Sequence, residues 1–174
     1  MTPASHRALT LHLLRHAKSS WDPPHLEDGD RPLAPRGERA ARKLAKHLAA
    51  LGIAPELVLC SPALRARQTL QMIGPALPRG AAIVIEDELY SDGGRELLER
   101  LRRLPAGIRE AMLVGHNPAI HDLALTLAGK AAPRSLAERL PTGALVSLRV
   151  RPSSWDGLAP GAAEIIRIVL PREL

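Results

Sequence analysis

The chain has 174 residues, of which 45% are hydrophobic, and a formal net charge of +6 at pH 7; this length fits a single domain with a substantial core, over residues 1–174. Basic residues are interleaved with acidic ones, as in ERAARKLAKHL, which is typical of solvated helix faces and argues against a nucleic-acid partner. One cysteine excludes an internal disulfide, and the lack of a long apolar segment argues against a signal peptide and a membrane partner, so we expect a cytoplasmic protein.

The first half of the chain alternates short apolar runs with amphipathic stretches, the pattern of parallel strands connected by helices. A first strand is predicted at about residues 8–14, and a helix at about residues 35–51 with Gly52 as its C-terminal cap. The run LVLC predicts a short second strand. In the following SPALRARQTLQMI we expect Ser61 to cap a helix whose first position is Pro62.

The second half continues this pattern. AAIVIE and EAMLVG are predicted strands, GRELLERLRRL is a predicted helix, and a further helix begins at Pro118. GALVSLRV and AEIIRIVL predict a closing hairpin at the edge of the sheet. The whole order indicates an α/β three-layer sandwich, with a largely parallel central sheet and helices on both faces. The long loop between the first strand and the first helix is itself a sign of function.

Polar side chains follow three of the predicted strands, at the edge of the sheet where α/β proteins bind ligands. Arg15 and His16 end the first strand, Arg65 lies in the first turns of the helix after the second, and His116 and Asn117 follow the fourth. Guanidinium groups and helix N-termini match the oxygens of phosphate. A neutral imidazole nitrogen can attack phosphorus and form a covalent phosphoenzyme. The sequence therefore predicts a phosphate site that can carry chemistry.

Arg67 is a less favourable candidate than Arg65. Residues two apart on a helix are separated by about 200° around its axis, so both side chains cannot face one pocket. We expect Arg65 to face the phosphate and Arg67 to lie on the outer face.

The segments LRHAKS, DRPL with the following RG, SPALRARQT and VGHNP, in this order, resemble the histidine phosphatase superfamily. They are most similar to its SixA-type phosphohistidine phosphatases, over nearly the whole chain. The resemblance implies that His16 is the phosphate-accepting nucleophile, that Arg15 and Arg65 bind the phosphoryl oxygens, and that His116 completes the pocket. It implies no metal and no cofactor, because positive groups around the phosphoryl group stabilise the transition state.

The resemblance adds further candidates for phosphate binding. Asp22 stands where the mutases of the superfamily carry a phosphate-contacting asparagine, and Ser19 stands at a small polar position of those relatives. Asn117, beside His116, is a third candidate.

The glutamate that protonates the leaving oxygen in mutases and sugar-phosphate phosphatases of the superfamily is replaced here by Ser91. Asp22 and Asp92 are the remaining candidates for a proton donor. Such an acid is typically worth about 10²–10⁴ in rate, but a protonated phosphohistidine expels an imidazole whose conjugate acid has a pKa of about 6.5. The departure therefore favours a phosphohistidine of a phosphorelay or phosphotransferase-type partner protein as substrate.

Other functions stay open. A small-molecule phosphomonoesterase of the same superfamily is the first alternative, and a non-catalytic phosphate-binding module is a remote one. A cysteine-based phosphatase needs an arginine six positions after its cysteine, where this chain has Ala66, so Cys60 is expected to be a small buried hydrophobic residue. His12 and His16 share a strand face, but no third residue follows with the spacing of a metal site.

Overall fold

The computed structural model describes residues 8–174. Six strands and five helices alternate through most of this range. The strands are β1 (Leu9–Arg15), β2 (Leu57–Cys60), β3 (Ala82–Ile85), β4 (Glu110–Gly115), β5 (Leu145–Val150) and β6 (Ala163–Val169). The helices are α1 (Pro35–Ala50), α2 (Leu64–Ile73), α3 (Gly94–Arg102), α4 (Ala119–Ala128) and α5 (Arg134–Glu138).

The strands form one sheet in the order β3-β2-β4-β1-β5-β6. The first four of these are parallel to one another, while β5 runs antiparallel to β1 and β6 antiparallel to β5. The predicted hairpin therefore closes one side of a largely parallel sheet, with β6 at the edge. Because β4 lies between β1 and β2, the carboxyl ends of these three strands are neighbours.

Helices cover both faces of the sheet, which confirms the predicted three-layer α/β sandwich. Alternate residues of β1 divide between the two cores: Leu11 and Leu13 pack with α3, α4 and α5, whereas Leu14 packs with α1 and α2. The two-residue period of the strands explains this division. None of the helices in the described range combines the length and the apolar character that a membrane span requires.

The helix starts differ from the predictions in two places. Helix α4 begins at Ala119, with Pro118 as its N-cap rather than its first residue. Gly52 follows α1 with a φ of 66°, the left-handed conformation expected of a C-terminal cap. The prediction that Ser61 caps α2 and that Pro62 is its first residue is wrong, because α2 begins at Leu64 after Ala63, with no side-chain cap. The hydroxyl of Ser61 has another partner, described below. The short helix α5 was not predicted, because its five residues show no clear helical period.

The loop between β1 and α1 is closed at its base by backbone pairing. Ser19 forms a β-bridge with Leu33, and the N–H of Ala34 donates to the carbonyl of Lys18 at 2.8 Å. Gly37, in the first turn of α1, lies against the same backbone, where an added Cβ would come within 2.1 Å of the Lys18 carbonyl oxygen. A side chain at this position would push α1 away from the segment that follows β1.

We expect Gly37→Ala to lower the free energy of unfolding by about 1–3 kcal/mol, because the overpacking cost exceeds the helix propensity gained, about 1 kcal/mol. Gly80→Ala is the matched control, since a Cβ there meets no atom within 4 Å. Urea denaturation measures both variants. Equal stability of the two would contradict the close approach at Gly37.

Candidate active site

Three strand ends bring the polar residues of the sequence together. The N–H of His16, directly after β1, donates to the carbonyl of Gly115 in β4 at 2.9 Å. The N–H of Ser61, directly after β2, donates to the carbonyl of Val114 at 3.0 Å. His116 follows β4 between them, and its ring centroid lies 5.1 Å from that of His16. The sheet order thus places two histidines and a serine at one point.

His16 is buried and held in one tautomer. Its Nδ1 lies 2.7 Å from the carbonyl oxygen of Ala17, which can only accept, so the proton is on Nδ1 and the lone pair is on Nε2. Burial lowers the pKa of His16 to about 3, and the charges of His116, Arg65 and Arg15 act in the same direction against the opposing effect of the Ala17 hydrogen bond. The imidazole is therefore neutral at pH 7, with Nε2 available as a nucleophile.

Arg65, in the first turn of α2, lies directly beside this nitrogen. Its Nε–H donates to His16 Nε2 at 3.3 Å, while Nη1 donates to the carbonyl of Asp28 at 2.5 Å and Nη2 to Asp28 Oδ2 at 2.8 Å. Two of its five N–H groups are left for other acceptors. Arg65 is only 6% exposed, whereas Arg67 is exposed, as the helical geometry requires.

Asp28 is the carboxylate of the cluster, and the sequence analysis missed it. It accepts hydrogen bonds from the Tyr90 hydroxyl, from Arg65 and from Arg31 at 3.0 Å. The hydroxyl of Tyr90 and the two guanidinium groups hold the pKa of Asp28 well below its usual range. Asp28 is therefore ionised at neutral pH, and it serves as a counterion rather than as a proton donor.

Arg31 connects the Asp28 carboxylate to Ser19 and Ser20, at the start of the loop that follows β1. Its Nη2 donates to Ser19 Oγ at 2.8 Å and its Nε to the carbonyl of Ser20 at 3.0 Å. Its guanidinium carbon lies 3.3 Å from the ring centroid of Trp21, whose indole is 70% exposed. Ser19, a predicted phosphate ligand, thus bonds to the residue that holds Asp28.

His116 is oriented by Ser61. The Ser61 hydroxyl lies 2.6 Å from His116 Nε2 and also accepts the N–H of Ala63 at 3.3 Å; we assign Ser61 as the donor to Nε2. This assignment puts the proton of His116 on Nδ1, a buried donor with no acceptor in the described part of the chain. Burial lowers the pKa of His116 to about 4. The edge of the Tyr90 ring packs against it, with centroids 5.2 Å apart.

Arg15 and Asn117 share one acceptor. Arg15 Nη1 and Asn117 Nδ2 donate to the carbonyl of Leu140 at 2.8 and 2.9 Å. Within residues 8–174, Arg15 Nε and Asn117 Oδ1 are buried without a partner. Burial, and then the nearby charge of Arg139, lower the pKa of Arg15. The pocket therefore holds positive charge and donors with hydrogen-bonding capacity to spare, which suits an oxyanion.

The structure does not support a cysteine nucleophile or a metal site among the described residues. Cys60 is buried, and burial raises the pKa of its thiol to about 12, so it is a poor nucleophile. His12 is buried between Ser147 and Glu110, at 2.8 and 3.1 Å. No group of three His, Cys, Asp or Glu side chains within residues 8–174 is arranged to hold a metal ion.

Known proteins identify the family. Residues 11–91 match the model of the histidine phosphatase superfamily (branch 1). A protein of Agrobacterium tumefaciens that is assigned as a phosphohistidine phosphatase SixA has a crystal structure with a TM-score of 0.81 to this chain. The two are 30% identical over 94% of this chain and 99% of that chain. The chain belongs to branch 1 of the histidine phosphatase superfamily. The resemblance to SixA-type members that the sequence indicated is thereby confirmed.

Three further proteins resemble the chain. The structure of a protein from Nakamurella multipartitia, which is also assigned as a SixA, has a TM-score of 0.82 to this chain. It is 31% identical over 94% of this chain and 96% of that chain. An uncharacterised protein of Mycobacterium tuberculosis is 36% identical over 164 residues, which are 91% of this chain and 100% of the relative. The mycobacterial glucosyl-3-phosphoglycerate phosphatase, at 17% identity and a TM-score of 0.66, shares the fold alone.

Two sequence candidates of this histidine phosphatase lie apart from the cluster. Asp22 is exposed, and its backbone N–H donates to Ser20 Oγ at 3.0 Å. Asp92 is exposed as well. In the described range neither carboxylate bonds to the two histidines or to Arg65. Asp28 stands six residues beyond Asp22 in the motif segment EDGDRPL, whose local pattern does not distinguish it from Asp30.

We expect acid to destabilise the fold through His16 and His116. Below pH 6.5 the unfolded chain takes up protons on these histidines, whereas the folded chain does so only near their lowered pKa values of about 3 and 4. The free energy of unfolding therefore falls as the pH drops from 7 towards 4, with a loss of about 2 kcal/mol for each histidine at pH 5.

Urea denaturation of His16→Asn at pH 8 and pH 5 checks this expectation. The stability difference between the two pH values should be smaller than in the wild type by about 2 kcal/mol. His25→Asn, on the exposed loop, is the matched control. A His16→Asn protein with the full pH dependence of the wild type would show that burial does not disfavour the imidazolium.

Proposed function

We propose that the protein removes phosphate from a phosphorylated histidine of a partner protein, through a covalent phosphohistidine on His16. The observation that carries this proposal is the neutral His16 ring, whose Nε2 lies 3.3 Å from the Nε of Arg65. A lone pair beside a fixed guanidinium is the arrangement needed to accept a phosphoryl group. The Arg65 N–H that donates to His16 Nε2 can instead bind a phosphoryl oxygen once phosphorus is attached to that nitrogen.

In the first step Nε2 of His16 attacks phosphorus while the bond from phosphorus to the substrate nitrogen breaks. Once Nε2 carries phosphorus it has no lone pair, so the Nε–H of Arg65 turns to a phosphoryl oxygen. Arg15 and the Nδ1–H of His116 bind the other oxygens. The phosphorylated ring of His16 becomes cationic, and the carbonyl of Ala17 continues to accept its Nδ1–H. This hydrogen bond is stronger than in the neutral ring, because its donor is now charged.

In the second step water attacks phosphorus and the bond to Nε2 breaks. The proton lost by water leaves with inorganic phosphate, and His16 returns to its neutral form. The guanidinium groups of Arg15 and Arg65, together with the neutral Nδ1–H of His116, stabilise the charge of the transferred phosphoryl group in both steps. The residues supply the charge neutralisation that other phosphoryl-transfer sites obtain from Mg²⁺.

The choice of a nitrogen–phosphorus substrate is supported by the carboxylates around the site. Asp28 is held ionised, and both proposed proton donors, Asp22 and Asp92, are exposed. An alkoxide would leave slowly without an acid, whereas the imidazole of a protonated phosphohistidine leaves as a neutral molecule. The names of the SixA relatives point to the same substrate class.

A phosphorylated protein of a phosphorelay or phosphotransferase system is the partner we propose, in the cytoplasm, where the unpaired Cys60 would stay reduced. Two exposed aromatic rings lie beside the site and offer contact area to such a protein: Trp21 stacks against Arg31, and Tyr90 donates a hydrogen bond to Asp28. A small-molecule phosphomonoesterase remains the alternative, since a phosphatase of a sugar phosphoglycerate shares the fold.

The proposed intermediate is tested with a histidine-phosphorylated carrier protein bearing ³²P, mixed with the phosphatase and quenched in alkali. We expect label on the wild-type chain that survives alkali and is lost in acid, and none on His16→Ala. His25→Ala, at an exposed histidine, should behave as the wild type. Equal release of phosphate by the wild type and His16→Ala would exclude His16 as the nucleophile, and faster turnover of phosphate esters than of the carrier would favour the small-molecule alternative.

The counterion role of Asp28 is tested by comparing two carboxylates of one loop. Asp28→Asn removes the charge that Arg31 and Arg65 bind, and each charge-assisted bond is worth about 1.5–3 kcal/mol, so we expect kcat/KM for phosphate release to fall about 10- to 100-fold. Asp22→Asn should stay within about twofold of the wild type. Steady-state kinetics with p-nitrophenyl phosphate measures both, and the reverse ranking would make Asp22 the functional carboxylate.

A further inference from the structure

A cavity of about 420 Å³ adjoins the active site and takes no part in the chemistry described above. Its volume is that of a small-molecule site. Helix α5, the segment after it and the C-terminal end of the chain form its walls. The polar lining residues are Ser135, Glu138, Arg139, Thr142 and Arg172.

The segment after α5 is a wall shared by the cavity and the active site. Leu140, between two lining residues, offers the carbonyl that Arg15 and Asn117 bind. The N–H of Gly143 lies 3.0 Å from the carbonyl of Arg15 and 2.9 Å from that of His16. The charge of Arg139 is close enough to Arg15 to lower its pKa. The cavity and the active site are therefore neighbours that share this segment on the Arg15 side.

The cavity has an excess of positive charge. Arg139 and Arg172 are exposed, and neither guanidinium has a carboxylate partner among the residues that the structure describes. Glu138 also lines the cavity, but it is paired with Arg134 at 2.8 Å. Thr142 is a further polar residue of the lining. Two uncompensated guanidinium groups around a cavity favour a carboxylate ligand.

We propose that this cavity is an anion subsite, which binds a carboxylate attached to the phosphorylated group. The carboxylate is supplied either by an acidic side chain near the phosphohistidine of a partner protein or by a small phosphate ester. The inference rests on the phosphatase function proposed above, but not on which of these substrates is the natural one. Binding at this subsite would place the phosphoryl group against His16 and add selectivity to the active site.

The test compares Arg139→Gln/Arg172→Gln with Arg79→Gln/Arg151→Gln, which removes the same charge. Arg79 precedes β3 and Arg151 follows β5, so both control positions lie at the edge of the sheet opposite the active site. Three substrates are used: phenyl phosphate, 4-carboxyphenyl phosphate and a histidine-phosphorylated carrier protein. The first two differ only by the carboxylate.

We expect the cavity variant to keep kcat/KM for phenyl phosphate within about twofold and to raise KM about five- to twentyfold for a substrate that uses the subsite. The increase should shrink at high salt, because added ions screen exposed charges. An increase for 4-carboxyphenyl phosphate but not for the carrier identifies a small ester as the source of the carboxylate, and an increase for the carrier identifies an acidic side chain of the partner protein. The same KM values in both double variants for all three substrates would overturn the proposal.

Failure of the proposed function gives a different result, namely no turnover of any substrate by the wild type. In that case calorimetry on His16→Ala, with and without the cavity substitutions, measures binding of the two aryl phosphates. Tighter binding of 4-carboxyphenyl phosphate that the cavity substitutions abolish supports the subsite, and equal binding of the two phosphates overturns it.

Discussion

The site depends on a buried guanidinium that must be neutralised without losing its place beside a histidine. Arg65 is almost fully enclosed, and an unpaired charge there would cost several kcal/mol. Asp28 supplies the counterion through its carboxylate and its carbonyl, while the remaining contact is made to the lone pair of His16. The same burial keeps His16 neutral. One set of contacts therefore stabilises the arginine, orients it and preserves the nucleophile.

The fold meets this requirement with elements that are distant in sequence. The sheet order sets β1, β4 and β2 side by side, so the segments after three strands converge. The counterion comes from the loop between β1 and α1, which backbone pairing at Ser19 and Leu33 closes. Arg31, in the same loop, donates to both Asp28 and Ser19 and so holds the loop together. The loop is long because it must leave the sheet, cover Arg65 and return to begin α1.

The cluster is stabilised around its periphery and leaves capacity at its centre. Asp28 and Ser61 use their hydrogen-bonding groups on neighbouring side chains. By contrast, the described residues provide no partner for Arg15 Nε, His116 Nδ1 or Asn117 Oδ1. Buried polar atoms without partners are rare and costly, and their concentration here is typical of a site that has exchanged stability for ligand binding. Two of these atoms, Arg15 Nε and His116 Nδ1, belong to groups that can donate to an oxyanion.

The sequence by itself determined the α/β layering, the closing hairpin, the family, and the convergence of Arg15, His16, Arg65 and His116, because strand and helix periods are local properties and the ends of parallel strands share one edge. It also predicted that Arg65 rather than Arg67 turns inwards, from helical geometry alone. Only the tertiary structure decided that Asp28, and not Asp22, is the carboxylate bound to Arg65. It also decided that Ser61 bonds to His116 instead of capping α2, and that Arg139 and Arg172 line a cavity beside Arg15. These outcomes depend on the path of an irregular loop and on contacts between residues that are far apart in the sequence. No local sequence pattern specifies such distances.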